Sequence, residues 1–127
     1  MDKRRVVITG MGAVTPLGLT LEESWSAVKA DTCGIGPITQ YDTTNQKVKL
    51  AGEVRGFNPE QYIDKREVRK TDRFVQFALA SAAQAMEHSG LVMENENSRR
   101  CGVVFASGIG GFSTIQNECL KGNEKGY

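Results

Sequence analysis

The opening segment RRVVITGMGAVTPLG, residues 4–18, constrains the fold of this 127-residue chain more than any other stretch. Residues 6–8 are Val, Val and Ile, a β-branched apolar run without polar alternation, which is typical of a strand buried on both faces of a parallel sheet. Gly10 and Gly12 follow and permit a sharp backbone turn. Since α/β proteins place binding sites where strands end in such turns, the segment predicts an α/β fold with a site nearby.

A glycine turn after a strand can also bind a dinucleotide, which needs G-x-G-x-x-G running directly into a helix. Thr15 occupies the place of the third glycine, and Pro16 follows it. The next predicted helix begins only after Thr20, so no helix N-terminus follows the glycines. The pattern favours a structural turn beneath a site, and no cofactor is expected.

Composition excludes several classes of protein. Lys and Arg total 16 against 15 Asp and Glu, so the net charge of +1 offers no global attraction to nucleic acid or anionic lipid. No apolar stretch approaches the roughly 20 residues that span a bilayer, and the first residues lack the apolar core of a signal peptide. The sequence therefore predicts a cytoplasmic protein that neither binds nucleic acid nor enters a membrane.

The cysteines and the single histidine suggest structural roles. Cys33, Cys101 and Cys119 form no C-x-x-C pair, which indicates neither a disulfide framework nor a metal site. Cys101 leads into the apolar run GVVFAS, and we expect it to be a small buried residue rather than a nucleophile. His88 lies near the end of a helical pattern, where the helix C-terminus favours it. A catalytic Cys-His pair within this chain is not expected.

A capping box opens the first predicted helix. The Thr20 hydroxyl can accept from the third amide of the helix while Glu23 reaches back to the Thr20 N–H. Apolar spacing continues this helix to about residue 30, with Trp25 as an expected core anchor. Residues 31–46 are rich in Gly, Thr, Asp and Asn and predict a long surface loop.

The middle of the chain predicts a strand and two further helices. Residues 47–54 alternate in part between polar and apolar and indicate a half-exposed strand, and Pro59 is expected to open a short helix. Residues 72–89 are rich in strong helix formers, and Gly90 follows as a left-handed terminator. Small side chains along this long helix predict deep burial against another backbone.

A second apolar run, residues 102–107, also ends in a glycine-rich turn, Ser107–Gly111. Two such strands separated by helices imply a parallel α/β sheet whose carboxyl edge carries both turns. The second turn displays Ile109, an apolar side chain with no local reason to be there. Either lining an apolar pocket or packing under another element would explain Ile109, and the residues alone leave both open.

The basic segment IDKREVRKTDR, residues 63–73, has two interpretations. Arg66, Arg69, Lys70 and Arg73 lie three or four positions apart, so one helix would gather them on one side. They form either a solvated face with internal ion pairs or a docking patch for an acidic protein or a phosphate-bearing carrier arm. No aromatic residues interleave with these charges, which argues against nucleic acid.

Several segments, taken in order, resemble the N-terminal part of a β-ketoacyl-acyl-carrier-protein synthase of the type II, long-chain kind. They are the opening segment, the tryptophan helix, YDT at 41–43, VRGFNPEQYID at 54–64, KREVRKTDRFVQFAL at 65–79 and ASGIGG at 106–111. The resemblance covers nearly the whole chain. It implies a thiolase-like layered α/β fold, of which residues 1–127 form an incomplete portion of the N-terminal domain.

The resemblance also implies a function. Such enzymes act as homodimers and elongate fatty acyl chains by decarboxylative Claisen condensation, with acyl carrier protein as partner. Arg66, Arg69 and Lys70 would belong to the basic patch that docks the acidic carrier protein. Ile109 would lie at the acyl-chain pocket near the dimer interface, where side-chain volume limits chain length.

The nucleophilic Cys and the two His residues of this family match no position of the chain and are expected beyond Tyr127. The resemblance therefore implies a piece of a longer synthase that is inactive alone, since covalent and oxyanion catalysis both need those groups. Two alternatives stay open. One is a non-condensing paralogue such as a chain-length factor, and the other is a stand-alone carrier-protein-binding module.

Overall fold

The computed structural model describes residues 3–126, which divide into two compact units. The first unit contains residues 3–58 and 81–90, and the second contains residues 59–80 and 91–126. The regular elements of the described residues are α1 (Leu21–Lys29), β1 (Gly36–Pro37), β2 (Leu50–Ala51), α2 (Lys65–Val68), α3 (Arg73–Ser89) and α4 (Phe112–Lys125). Single 3-10 turns span Pro59–Gln61, Met93–Asn95 and Ser98–Arg100.

Helix α1 begins as its capping box predicts. The Thr20 hydroxyl accepts from the Glu23 N–H at 3.2 Å, while the Glu23 carboxylate accepts from the Leu19 N–H at 2.7 Å, one residue earlier than expected. Trp25 is 60% exposed, so its prediction as a core anchor is wrong. The buried residue of α1 is Ser24, because α1 packs through its small polar side against the turn that precedes it.

The sheet in the described residues is small and antiparallel. Strands β1 and β2 pair with Gly36 opposite Ala51 and Pro37 opposite Leu50. The predicted loop 31–46 therefore contains one strand, and the predicted strand 47–54 reduces to two residues.

The two predicted buried strands are wrong for the described residues. Residues 6–8 and 102–107 adopt no strand pairing, and Val6 and Val104 are 93% and 96% exposed. A strand needs a neighbouring segment to bond its N–H and C=O groups, and no segment within residues 3–126 pairs with either run. Cys101, at the start of the second run, is exposed for the same reason, which corrects its prediction as a buried residue.

Helix α3 forms where the sequence predicts it, and Gly90 ends it with a φ of +64°. Its predicted deep burial is wrong. Ala80 is the one buried hydrophobic residue among residues 3–126, and Leu79 on the same helix is 45% exposed. Gly10 and Gly12 approach the backbone of the C-terminal half of α3 closely.

Helix α4 has no strong local signal in the sequence. Its N-cap, Gly111, makes no side-chain hydrogen bond, and its first turn contains no acidic residue. Its own sequence thus lacks the usual stabilisation of a helix N-terminus.

Candidate functional site

The basic segment lies in the second unit and begins with a short helix. The Asp64 carboxylate accepts from the Arg66 N–H at 2.8 Å and caps α2, which ends at Val68. Arg69 is its C-cap, while Arg73 already belongs to α3. The prediction that one helix gathers all four cations is therefore wrong, because residues 69–72 separate α2 from α3.

The cations of this segment differ in their surroundings. Arg66, Arg69 and Lys70 are all exposed. The Lys70 ammonium lies 2.9 Å from the Glu67 carboxylate, which offsets part of its charge. Within residues 3–126, neither Arg66 nor Arg69 forms an ion pair with a carboxylate. Two guanidinium groups are thus available to an outside anion.

The glycine-rich turn that precedes α4 also belongs to the second unit. The Gly110 N–H donates to the Ser107 hydroxyl at 3.1 Å, and Gly110 has a φ of +82°, a conformation that favours glycine. The turn presents Ile109 with 72% of its surface exposed. A side chain so placed is open to contact from outside this unit.

Residues at the start of α3 contact this turn and α4, and sequence reasoning missed this link. The Thr114 hydroxyl donates to the Asp72 carboxylate at 2.7 Å. A Cβ added to Gly111 would collide with the same carboxylate, and one added to Gly110 would lie 3.6 Å from the Phe74 ring. No motif indicates these contacts, since 42 positions separate Asp72 from Thr114.

The side chain of Gln76, on α3, bonds to the basic segment. Gln76 donates to the carbonyls of Val68 and Thr71 at 3.1 and 2.9 Å. The second unit thereby holds the basic segment, the start of α3 and the Ile109 turn in one set of contacts.

The opening segment lies in the first unit, and the sharp turn predicted at Gly10 and Gly12 is wrong. The turn lies at residues 16–17, where Thr15 and Gly18 close it with two backbone hydrogen bonds of 2.9 and 3.3 Å. The Thr15 and Ser24 hydroxyls lie 2.8 Å apart. The His88 Nδ1 accepts from the Met11 N–H at 3.1 Å, so this ring contacts the opening segment in addition to lying in the last turn of α3. No described parallel strand joins this turn to the Ser107–Gly111 turn.

One carboxylate of the first unit is strongly hydrogen-bonded. The pKa of Glu53 lies below its ordinary value, chiefly because the Thr39 N–H donates to the carboxylate at 2.9 Å. The Thr39 hydroxyl, the Gln40 N–H and the Arg55 guanidinium act in the same direction, while partial burial opposes them. Glu53 ties the segment after β1 to the segment after β2, a structural role.

Other candidate sites are sparse among residues 3–126. Met11, Leu21, Glu22 and Trp25 line an open, mainly apolar pocket of about 470 Å³ in the first unit. No group of three potential metal ligands occurs in these residues, and none of their helices is long and apolar enough to cross a membrane. The three cysteines are exposed.

Comparison with known proteins gives the family. The profile of the β-ketoacyl synthase N-terminal domain matches residues 3–127. The chain belongs to the β-ketoacyl synthase family. A curated relative, 3-oxoacyl-(acyl-carrier-protein) synthase 2 of Vibrio cholerae, is 49% identical over 116 residues. That alignment covers 91% of this chain and 28% of the relative, so the chain spans just over a quarter of that protein's length.

Solved structures agree with this assignment. The ishigamide ketosynthase/chain length factor superposes with a TM-score of 0.86 and 28% identity, covering 98% of this chain and 31% of that one. A type II PKS acyl-carrier protein in complex with its ketosynthase gives a TM-score of 0.76 at 24% identity. This match covers 94% of this chain and 32% of that one. The β-ketoacyl synthase chain therefore has the fold of part of a ketosynthase, and the expected thiolase-like class is confirmed.

Proposed function

We propose that the protein containing this chain is a condensing enzyme of fatty acid biosynthesis. In the proposed reaction an acyl group is held as a thioester on the enzyme. Malonyl-acyl carrier protein loses CO2, the resulting carbanion attacks the acyl carbonyl carbon, and the enzyme thiolate leaves. The observation that carries the proposal is the family match across residues 3–127, together with the 49% identity to a 3-oxoacyl-(acyl-carrier-protein) synthase.

Within this proposal the chain contributes binding surfaces rather than reacting groups, since no cysteine here matches the family nucleophile. Arg66, Arg69 and Lys70 dock the acidic acyl carrier protein. Exposure of all three supports this role, as does the lack of an internal ion pair at the two arginines within residues 3–126. Guanidinium groups suit carboxylates and phosphate because they donate two parallel hydrogen bonds.

Ile109 forms part of the acyl-chain pocket in the same proposal. Two observations support this role. Ile109 is apolar and 72% exposed, and the next residue, Gly110, has a φ of +82°, a conformation that favours glycine. A homodimer and a cytoplasmic location complete the proposal, and both stay predictions.

Carrier binding tests the docking surface. We expect Arg66→Glu with Arg69→Glu to weaken binding of acyl carrier protein about tenfold or more, because like charges across an interface repel. The matched control is Arg99→Glu with Arg100→Glu, which makes the same charge change on two exposed arginines of the same unit. Equal losses of affinity in the two double variants would show that net charge alone, and not this surface, determines binding. Unaltered affinity in Arg66→Glu with Arg69→Glu would favour a solvated face with internal ion pairs.

A non-condensing chain-length factor is the second candidate, because one solved relative is described as a ketosynthase/chain length factor. Intact mass separates the two after the purified protein is incubated with acyl-loaded carrier protein. A condensing enzyme gains the mass of the acyl group as a covalent thioester. A protein that binds the carrier but gains no mass belongs to the non-condensing class.

A further inference from the structure

The backbone and the side chain of Asp72 form hydrogen bonds with different helices. Its carbonyl accepts from the N–H groups of Val75 and Gln76 at 3.0 and 3.1 Å and so begins α3. Its carboxylate accepts from the Thr114 hydroxyl at 2.7 Å and so contacts α4. Asp72, near the end of the basic segment, therefore joins two helices of the second unit.

The Asp72 carboxylate lies at the N-terminus of α4, beside Gly111 and Thr114. Gly111 offers no side-chain cap, and the first turn of α4 contains no acidic residue. A helix N-terminus has a partial positive charge and unpaired N–H groups, which a nearby carboxylate stabilises. The contact requires glycine at position 111, since a Cβ there would collide with the Asp72 carboxylate.

The turn held in this way is the one that displays Ile109. Its closing bond joins Gly110 to Ser107 at 3.1 Å, and the Phe74 ring lies beside Gly110. Asp72 and Phe74, at the start of α3, thus support both residues that separate Ile109 from α4. With 72% of its side chain exposed, Ile109 depends on this backbone support for its position.

We propose that Asp72 is a positioning residue for Ile109 and, resting on the function proposed above, sets the sharpness of acyl-chain selection. A rigid turn gives the pocket a wall of fixed position, whereas a loosened turn lets the wall yield to longer chains. One buried methylene corresponds to a preference of about fourfold, so small movements of the wall change which chain length is favoured.

Hydrogen exchange tests the positioning role in the purified protein without any substrate. In Thr114→Val we expect the amides of residues 108–114 to exchange about tenfold faster, the effect of losing a hydrogen bond to a charged group. Thr114→Ser keeps the hydroxyl and should exchange like the original protein. Asp72→Asn keeps an acceptor oxygen but loses the charge, and an intermediate rate is expected. Amides of α1, in the other unit, serve as the internal reference. Unchanged rates at 108–114 in both Thr114→Val and Asp72→Asn would overturn the positioning role.

Chain-length preference tests the specificity role. We expect the ratio of kcat/KM between successive acyl donors to fall about threefold or more in Thr114→Val. In Thr114→Ser the ratio should match that of the original protein. Carrier affinity should be the same in both variants, because neither touches Arg66 or Arg69. Faster exchange with an unaltered preference would reject the specificity role. Absence of condensation in the original protein would reject the proposed function, while the exchange rates would still decide the positioning role.

Discussion

The side-chain amide of Gln84 donates a hydrogen bond to the Leu19 carbonyl at 2.8 Å, across 65 positions of sequence. The same side chain accepts from the Ala13 N–H at 3.1 Å. Both bonds are partly buried within the first unit. One residue of α3 thereby holds Ala13 of the opening segment and Leu19, the residue just before the cap of α1.

Replacing Gln84 with Ala should destabilise the protein by about 1–3 kcal/mol, because two partly buried backbone groups lose their partner. Urea denaturation measures the free energy of unfolding. Gln46→Ala, at an exposed position, is the control and should change it by less than about 0.5 kcal/mol. Equal effects at the two positions would contradict the bridging role of Gln84.

Gly12→Ala should destabilise the protein by about 1–3 kcal/mol or more, since the added methyl has no space. A Cβ at position 12 would collide with the Ser81 carbonyl oxygen and lie 2.7 Å from the Gln84 Cβ. Gly102→Ala is the matched control, because a Cβ there meets nothing within 4 Å. Thermal melting of both variants gives the comparison, and a Gly12→Ala protein as stable as Gly102→Ala would exclude the close approach.

The depressed pKa of Glu53 predicts a loss of stability in acid. In the folded state its pKa lies below the ordinary 4.5, chiefly because of the Thr39 N–H. The contribution of Glu53 is therefore fully present above pH 4.5 and is lost as the pH falls through the lower folded value. Urea midpoints measured against pH for the original protein and for Glu53→Gln should converge in acid. A constant difference between them across that range would exclude this linkage.

The proposed docking role of the basic segment predicts that Glu67→Gln strengthens binding of an acidic carrier protein by about twofold to fivefold. The change removes a negative charge from the basic segment and releases Lys70, whose ammonium lies 2.9 Å from the Glu67 carboxylate. Titration calorimetry at low and high salt measures the gain, which should shrink at high salt because exposed charges are screened. Glu118→Gln, which breaks the similar pair with Lys121, is the control. A gain at Glu118 but not at Glu67 would argue against docking at this segment.

The proposed place of Ile109 in an acyl-chain pocket predicts that Ile109→Phe shortens the acyl chains accepted, because the larger ring would occupy pocket volume. Product lengths are read by mass spectrometry of the released acyl groups. Ile115→Phe makes the same change on α4 in the same unit and should leave product lengths unaltered. Unchanged product lengths in Ile109→Phe would show that Ile109 does not line the pocket.

Local signals in the sequence predicted local structure well. The capping box at Thr20, the helix formers of residues 73–89 and the terminator Gly90 act within a few positions, and α1 and α3 begin and end close to where they indicate. Helix α4 escaped prediction because the carboxylate that contacts its first turn, that of Asp72, comes from a distant part of the chain. The order of motifs along the chain also indicated the family, which the profile match confirms.

The sequence by itself determined the approximate boundaries of α1 and α3, the cations of the basic segment and membership of the β-ketoacyl synthase family. Tertiary structure alone decided burial and pairing, since these depend on which segments meet. The apolar runs at 6–8 and 102–107 are β-branched enough for strands, yet no segment within residues 3–126 bonds to them. The glycines at positions 10 and 12 are likewise explained by α3, because a Cβ at either position would collide with the backbone of Ser81 or Ala85.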